Sequence, residues 1–215
     1  MQSAGALAIK AIVFDLDGTL YVSPEFAATI QEAAVIYMAA LRGMSQDETR
    51  ELMGATRARL VEESGMQPTL SAVCIELGGT MRDLHGFFKE HLRPEAYLTR
   101  DERVVVLLER LRTRYGLYVY TNNNHPVTER IIDCLGFHAL FSDVFAIDDL
   151  WRAKPDDVRL EQIIQATGHA PGEILFVGDR FDVDLRLPEQ KGCPIYLSQS
   201  VDQLLRLDGL LNKAH

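Results

Sequence analysis

Two aspartates spaced by one residue, Asp15 and Asp17, open the run Asp15-Leu16-Asp17-Gly18-Thr19-Leu20 directly after an apolar tetrapeptide. A carboxylate is a weak nucleophile, yet it attacks phosphorus when a divalent cation and a lysine offset the repulsion between two anions. A second acid close by can protonate a departing alkoxide and then deprotonate the water that follows. Three later clusters suit such chemistry: Thr121-Asn122-Asn123-Asn124, Lys154-Pro155 and Gly178-Asp179-Arg180-Phe181-Asp182-Val183-Asp184. Acids and carbonyls fit a hard cation such as Mg²⁺, which prefers oxygen ligands and keeps several waters. Glycine at 18 permits an unusual turn or a close backbone approach, so that nearby amides can face phosphate oxygens. Read alone, the acids could instead end a strand or shape a calcium loop. A loop of the EF-hand kind counted from Asp15 would need a glutamate where the chain has Phe26, so that reading fails.

The clusters follow elements that can position them. Apolar, β-rich runs end abruptly at polar or glycine positions: AIVF (11–14) before Asp15, LYVY (117–120) before Thr121, and ILFV (174–177) before Gly178. Almost wholly apolar strands are those covered on both faces. SDVFAI (142–147) and CPIYL (193–197) are two further strand candidates. Helical patterns lie between them, through Val104, Leu107, Leu108 and Leu111, through Ile131, Ile132 and Leu135, and through Val158, Ile163 and Ile164. Alternating strand and helix predicts an α/β fold with a doubly wound parallel sheet, whose ligands sit beyond the carboxyl ends of the strands. Residues 22–98 contain no convincing strand and repeated helix starts: Ser23-Pro24-Glu25, Ser45 with Glu48, and Thr80 with Asp83. The first of these helices should present Phe26, Ile30, Ala33, Tyr37 and Leu41 as its apolar stripe.

The set DLDGTL, TN, KP and GDRFDVD, in that order between Ile9 and Leu197, resembles the haloacid dehalogenase superfamily in its phosphatase branch. The resemblance implies a Rossmann-like core of residues 1–21 and 99–215, with a small all-helical cap of residues 22–98 inserted after the first strand. It implies a phosphomonoesterase with Asp15 as nucleophile, forming an aspartyl-phosphate, and Asp17 as general acid and base. Thr121 and the Asn122 backbone would bind the transferring phosphoryl group, and Lys154 would neutralise its charge. Mg²⁺ would be held by the Asp15 carboxylate, the Asp17 backbone carbonyl, Asp179 and one further acid, with Asp184 favoured over Asp182 by its spacing. Arg180 reaches substrate or forms a surface ion pair.

Bulk properties narrow the partners. With 22 basic and 31 acidic residues among 215, the net charge of -9 argues against nucleic-acid polymers and anionic membrane surfaces. A small phosphorylated metabolite remains compatible, because a phosphate pocket depends on a few local donors. No apolar stretch is long enough to span a bilayer, and the opening MQSAGALAIK carries its lysine after the apolar residues, unlike a signal peptide, so a cytoplasmic location is expected. Cys74, Cys134 and Cys193 are far apart and flanked by apolar residues, as buried small hydrophobes are. Around HGFFKEHLRPEAYLTRD the chain is similar to the pyrimidine 5'-nucleotidase subgroup, which implies a nucleoside 5'-monophosphate. Tyr21, Phe26, Arg57, His85 and Phe87 are available to meet a base, although Phe26 and Phe87 also fit helix core stripes. A phosphotransferase of the sugar phosphomutase kind and a silent phosphate-binding protein are the alternative readings. Pro188, in a stretch expected to be helical, should shorten or kink it.

Overall fold

A computed structural model describes residues 9–213. The segment 1–8, which bears on the signal-peptide reading, lies outside the described residues, as do the last two. Five parallel strands, β1 (Ala11–Phe14), β2 (Gly116–Tyr120), β3 (Asp143–Phe145), β4 (Ile174–Gly178) and β5 (Ile195–Leu197), form one sheet in the order β3-β2-β1-β4-β5. The chain winds outward from β1 to β3, then crosses back over β1 to β4 and β5. This is the doubly wound arrangement expected from the alternating pattern, and it sets the β1 terminus at the centre of the carboxyl edge.

Every side chain of β1 is buried, as are those of β4. Phe14, Ile12, Leu108, Leu111 and Leu117 are among the largest fully buried residues, each contributing about 1.5–3 kcal/mol by leaving water. Helices α5 (Glu102–Arg112), α6 (His125–Leu135) and α7 (Asp157–Thr167) connect the strands. α5 buries Val104, Leu107, Leu108 and Leu111 as its periodicity predicts. β3 and β5 are shorter than the apolar runs suggested: Pro194 has no amide hydrogen for the ladder, and its carbonyl accepts instead from the Phe176 amide at 2.9 Å.

Between β1 and α5 the chain makes four α-helices, α1 (Pro24–Arg42), α2 (Gln46–Ser64), α3 (Leu70–Glu76) and α4 (Met81–His91), then a 3-10 turn at Pro94–Ala96, and no strand among the described residues. Their ends follow the side-chain chemistry. Ser23 caps α1 by accepting from the Phe26 amide at 3.2 Å, and Ser45 with Glu48 closes a reciprocal capping box on α2. Thr80 accepts from the Asp83 amide at 3.1 Å at the start of α4.

Three sequence expectations are corrected. Leu41 is 50% exposed, because over 19 residues the buried face of α1 drifts onto Ala34, Val35, Met38 and Ala39. Val158 lies on the solvent side of α7 at 47%, where Leu160 and Ile163 make the core contacts. Cys74 and Cys193 are buried, but Cys134 is only half-buried on the surface of α6. Pro188 falls in the first turn of a five-residue helix, α8 (Arg186–Gln190), where its missing amide hydrogen is no loss. The preceding residues, Phe181–Leu185, form one wide π turn. Two short helices, α9 (Val201–Leu204) and α10 (Leu207–Lys213), complete the described chain.

Candidate active site

The loops at the carboxyl ends of β1, β2 and β4, with the segment before α7, meet at one point. Asp15 continues the ladder by donating its amide to the Val177 carbonyl at 2.8 Å, so its side chain is held at the centre of the sheet edge. Lys154, 2% exposed, places its Nζ 2.6 Å from Asp15 Oδ1, 2.7 Å from Asp184 Oδ1 and 2.9 Å from the Tyr120 carbonyl. The other Asp15 oxygen, Oδ2, accepts from Thr19 Oγ1 at 3.2 Å. Carboxylate oxygens of Asp15, Asp179 and Asp184 lie within 4.8 Å of one another.

The π turn decides which acid of the fourth cluster enters. It points Asp184 inward, where Oδ2 accepts from the Arg180 amide at 3.1 Å, and sends Asp182 outward to Arg186. Two glycines make room for these acids. A Cβ on Gly178 would stand 2.4 Å from the Asp184 Cβ. One on Gly18, at φ +87°, would stand 2.5 Å from Asp179 Oδ2, so both the backbone angle and the space require glycine there.

Asp17 is held separately. Tyr21 donates its hydroxyl to one carboxylate oxygen, and Asn123 Nδ2 donates to the other at 2.6 Å. Sequence reasoning did not foresee either contact. The sequence offers Tyr21 to a base and places Asn123 in the second cluster, and only the fold brings position 123 beside position 17. Asn122 accepts the Lys154 amide on Oδ1 at 2.8 Å, which ties the second cluster to the third. Thr121 is buried, and its Oγ1 accepts from the Asn123 amide at 3.1 Å. Asn124 caps α6 and donates Nδ2 to the His85 carbonyl of α4 at 2.7 Å, linking the helical segment to the sheet edge.

Burial dominates the electrostatics. It pushes Asp15 up to about 7, against Lys154 and with help from Asp184, Asp17 and Asp179. Asp17 is raised by burial despite its two donors, and Asp179 rises to about 6 through burial and the Asp184 charge. Asp184 is the exception: burial acts upward, but Lys154 and Arg180 more than offset it and hold the carboxyl below its usual range. Lys154 is likewise raised, the charges of Asp15 and Asp184 overcoming its burial. Arg180 Nε sits 3.7 Å from Asp179 with its side chain 46% exposed, a loose pair at the rim.

A cavity of about 380 Å³ opens beside this cluster. Asp17, Gly18, Asn122, Asn123, Asp179 and Arg180 form its floor, and residues of α1 to α4 form its walls. Of the residues considered for a nucleobase, Tyr21, Phe26, Arg57 and His85 line it, whereas Phe87 stacks on His91 at 3.7 Å. Such a site presents anionic nucleophile and acid candidates to a ligand whose bulk lies among the helices.

Residues 9–189 match the family model described as haloacid dehalogenase-like hydrolase. A phosphoglycolate phosphatase of Vibrio cholerae is 28% identical over 86% of this chain and 82% of its own length. An N-acetylmuramic acid 6-phosphate phosphatase of Pseudomonas aeruginosa is 27% identical over 80% of this chain and 74% of its own. The crystal structure of a phosphatase of this superfamily from Thermococcus onnurineus superposes with a TM-score of 0.59 at 21% identity, covering 94% of this chain and 98% of that one. The chain belongs to the haloacid dehalogenase-like hydrolases and is a phosphatase of that family.

Proposed function

We propose that the enzyme is a Mg²⁺-dependent phosphomonoester hydrolase that acts on a small phosphorylated metabolite through an aspartyl-phosphate on Asp15. The observation that carries this reading is the placement of a buried lysine between Asp15 and Asp184, with a separately held acid, Asp17, beside the same cavity. Asp15 attacks phosphorus and the ester P–O bond breaks. Asp17, whose raised pKa favours its protonated form, gives its proton to the departing alkoxide. It then takes a proton from the water that attacks the aspartyl-phosphate, so phosphate leaves and the Asp15 carboxylate returns. Lys154 offsets charge on Asp15 and on the phosphoryl group, and Thr121 and the Asn122 backbone bind phosphoryl oxygens.

The residues fit a hard divalent cation. Asp179 Oδ1 is buried without a hydrogen-bond partner among the described residues, and it belongs to the three-carboxylate cluster with Asp15 and Asp184. Asp15, Asp179, Asp184 and the Asp17 carbonyl would hold Mg²⁺. When bound, the ion supplies the charge neutralisation that lets an anionic nucleophile approach an anionic ester. Helices α1 to α4 act as the cap, excluding water from the acyl phosphate.

Phosphate release from a chromogenic aryl phosphate should stop on addition of a chelator and return with Mg²⁺. An equal rate with and without chelator would contradict the cation's role. A panel of phosphoglycolate, sugar phosphates and nucleoside 5'-monophosphates then ranks leaving groups. The nucleotide belongs in it because Tyr21, Phe26 and Phe88 give the cavity an aromatic wall.

A further inference from the structure

The three arginines of α2 after its first turn differ in their partners. Arg50 bonds to Glu32 at 2.7 Å and to Asp47 at 2.6 Å, and Arg59 bonds to Glu63 at 2.6 Å and to Glu76 at 2.5 Å. Arg57, half-buried between them, has no carboxylate partner among the described residues. It lines both the active-site cavity and a second one between α1 and α2, and the acid in the lining of that second cavity, Glu32, is already taken by Arg50.

A second unsatisfied group stands in the same wall. His85 is 2% exposed, its Nε2 lies 3.3 Å from Ser71 Oγ, and its Nδ1 is buried with no hydrogen-bond partner. Burial lowers its pKa to about 4, so the ring is neutral at pH 7 and offers one polar nitrogen rather than a second charge. Buried polar atoms are ordinarily paired, and this nitrogen is an exception on a residue of the cavity lining. Ser71 and Thr69 add hydroxyls to this wall.

We infer that Arg57, which lines the same cavity as His85 and Ser71, is the specificity determinant for a second anionic group on the substrate, carried by the leaving alcohol. This rests on the phosphohydrolase reading of the site. A charge-assisted bond from Arg57 discriminates between leaving groups of equal size by their charge, which a purely apolar wall does not. A carboxylate and a second phosphoryl group share the required chemistry.

The test compares kcat/KM for esters of matched size: 2-phosphoglycolate, 2-hydroxyethyl phosphate, 2-aminoethyl phosphate and ethanediol bisphosphate, with an aryl phosphate alongside. The wild-type enzyme should prefer at least one anionic ester over the hydroxyethyl ester by about 30-fold or more, the scale of a hydrogen bond to a charged group. The higher of the two anionic esters identifies the group. Arg57→Gln should collapse that ratio, Arg57→Lys should keep most of it, and Arg57→Glu should move preference toward the aminoethyl ester. Absence of a preference in the wild type, or an equal fall on every ester in Arg57→Gln, overturns the inference while leaving the phosphatase reading intact. Failure to hydrolyse any ester, the aryl phosphate included, overturns the reading itself.

Discussion

Asp15→Asn is expected to lower phosphate release by about 10⁴-fold or more while leaving the protein folded. Enzymes that lose a covalent nucleophile fall toward the background set by binding and electrostatics. Asparagine keeps the volume, its carbonyl oxygen can still accept from Lys154 while Thr19 Oγ1 turns to accept from the amide nitrogen, but its amide does not form the acyl phosphate. The fold should tolerate it, because burial and the acids around it already push Asp15 up to about 7. Removing one charge from that set relieves repulsion, and Lys154 keeps Asp184 and the Tyr120 carbonyl as acceptors. The melting temperature of the metal-free variant should therefore be no lower than that of the wild type. A variant with near-full activity would exclude Asp15 as nucleophile.

Lys154→Met should be costly in both activity and stability. Methionine matches the length of the lysine stem but leaves Asp15 and Asp184 facing each other in a site where both are nearly inaccessible. Breaking a buried ion pair by deleting one partner costs about 3–5 kcal/mol, because a buried charge is left uncompensated. For a domain of this size each kcal/mol lowers the melting temperature by about 2–4 °C, so a drop on the order of 10 °C is expected for the metal-free protein. Activity should fall by at least about 10³-fold, since Lys154 is the one buried cation within hydrogen-bond reach of Asp15 among the described residues. Added Mg²⁺ should recover part of the stability, because it brings positive charge to the same acids. An unchanged melting temperature would mean that the carboxylates shed their charge without cost.

The parts of this site that could be read in the sequence are those where position along an element decides the outcome. Asp15, Thr121 and Asp179 each follow a strand of unbroken apolar character, and a parallel sheet must deliver such residues to one edge. Gly18 was legible as a close-approach position, although the side chain that approaches it, Asp179, was not. The contacts of Tyr21 and Asn123 were not legible for a different reason. Their role is set by a contact with Asp17 that depends on where two loops settle, and nothing in local spacing separates a stacking tyrosine from one that bonds a carboxylate. Between Asp182 and Asp184 the spacing favoured the second, but the wide turn that points it inward leaves no pattern in residue type. Leu41 and Val158 show the limit of periodicity itself: a helix stripe tells which side is apolar, not where the neighbouring element stops covering it.

A covalent bond between phosphorus and Asp15 can be read directly. Wild-type enzyme mixed with an aryl phosphate and Mg²⁺, quenched within a turnover and reduced with borohydride, should carry an alcohol in place of one carboxyl. Tryptic cleavage after Lys10 and Arg42 places both Asp15 and Asp17 on the peptide Ala11–Arg42, where fragmentation distinguishes them. The reduced residue should be Asp15, with none in Asp15→Asn. Reduction at Asp17 or at any other acid, or turnover with no trapped residue, would contradict it.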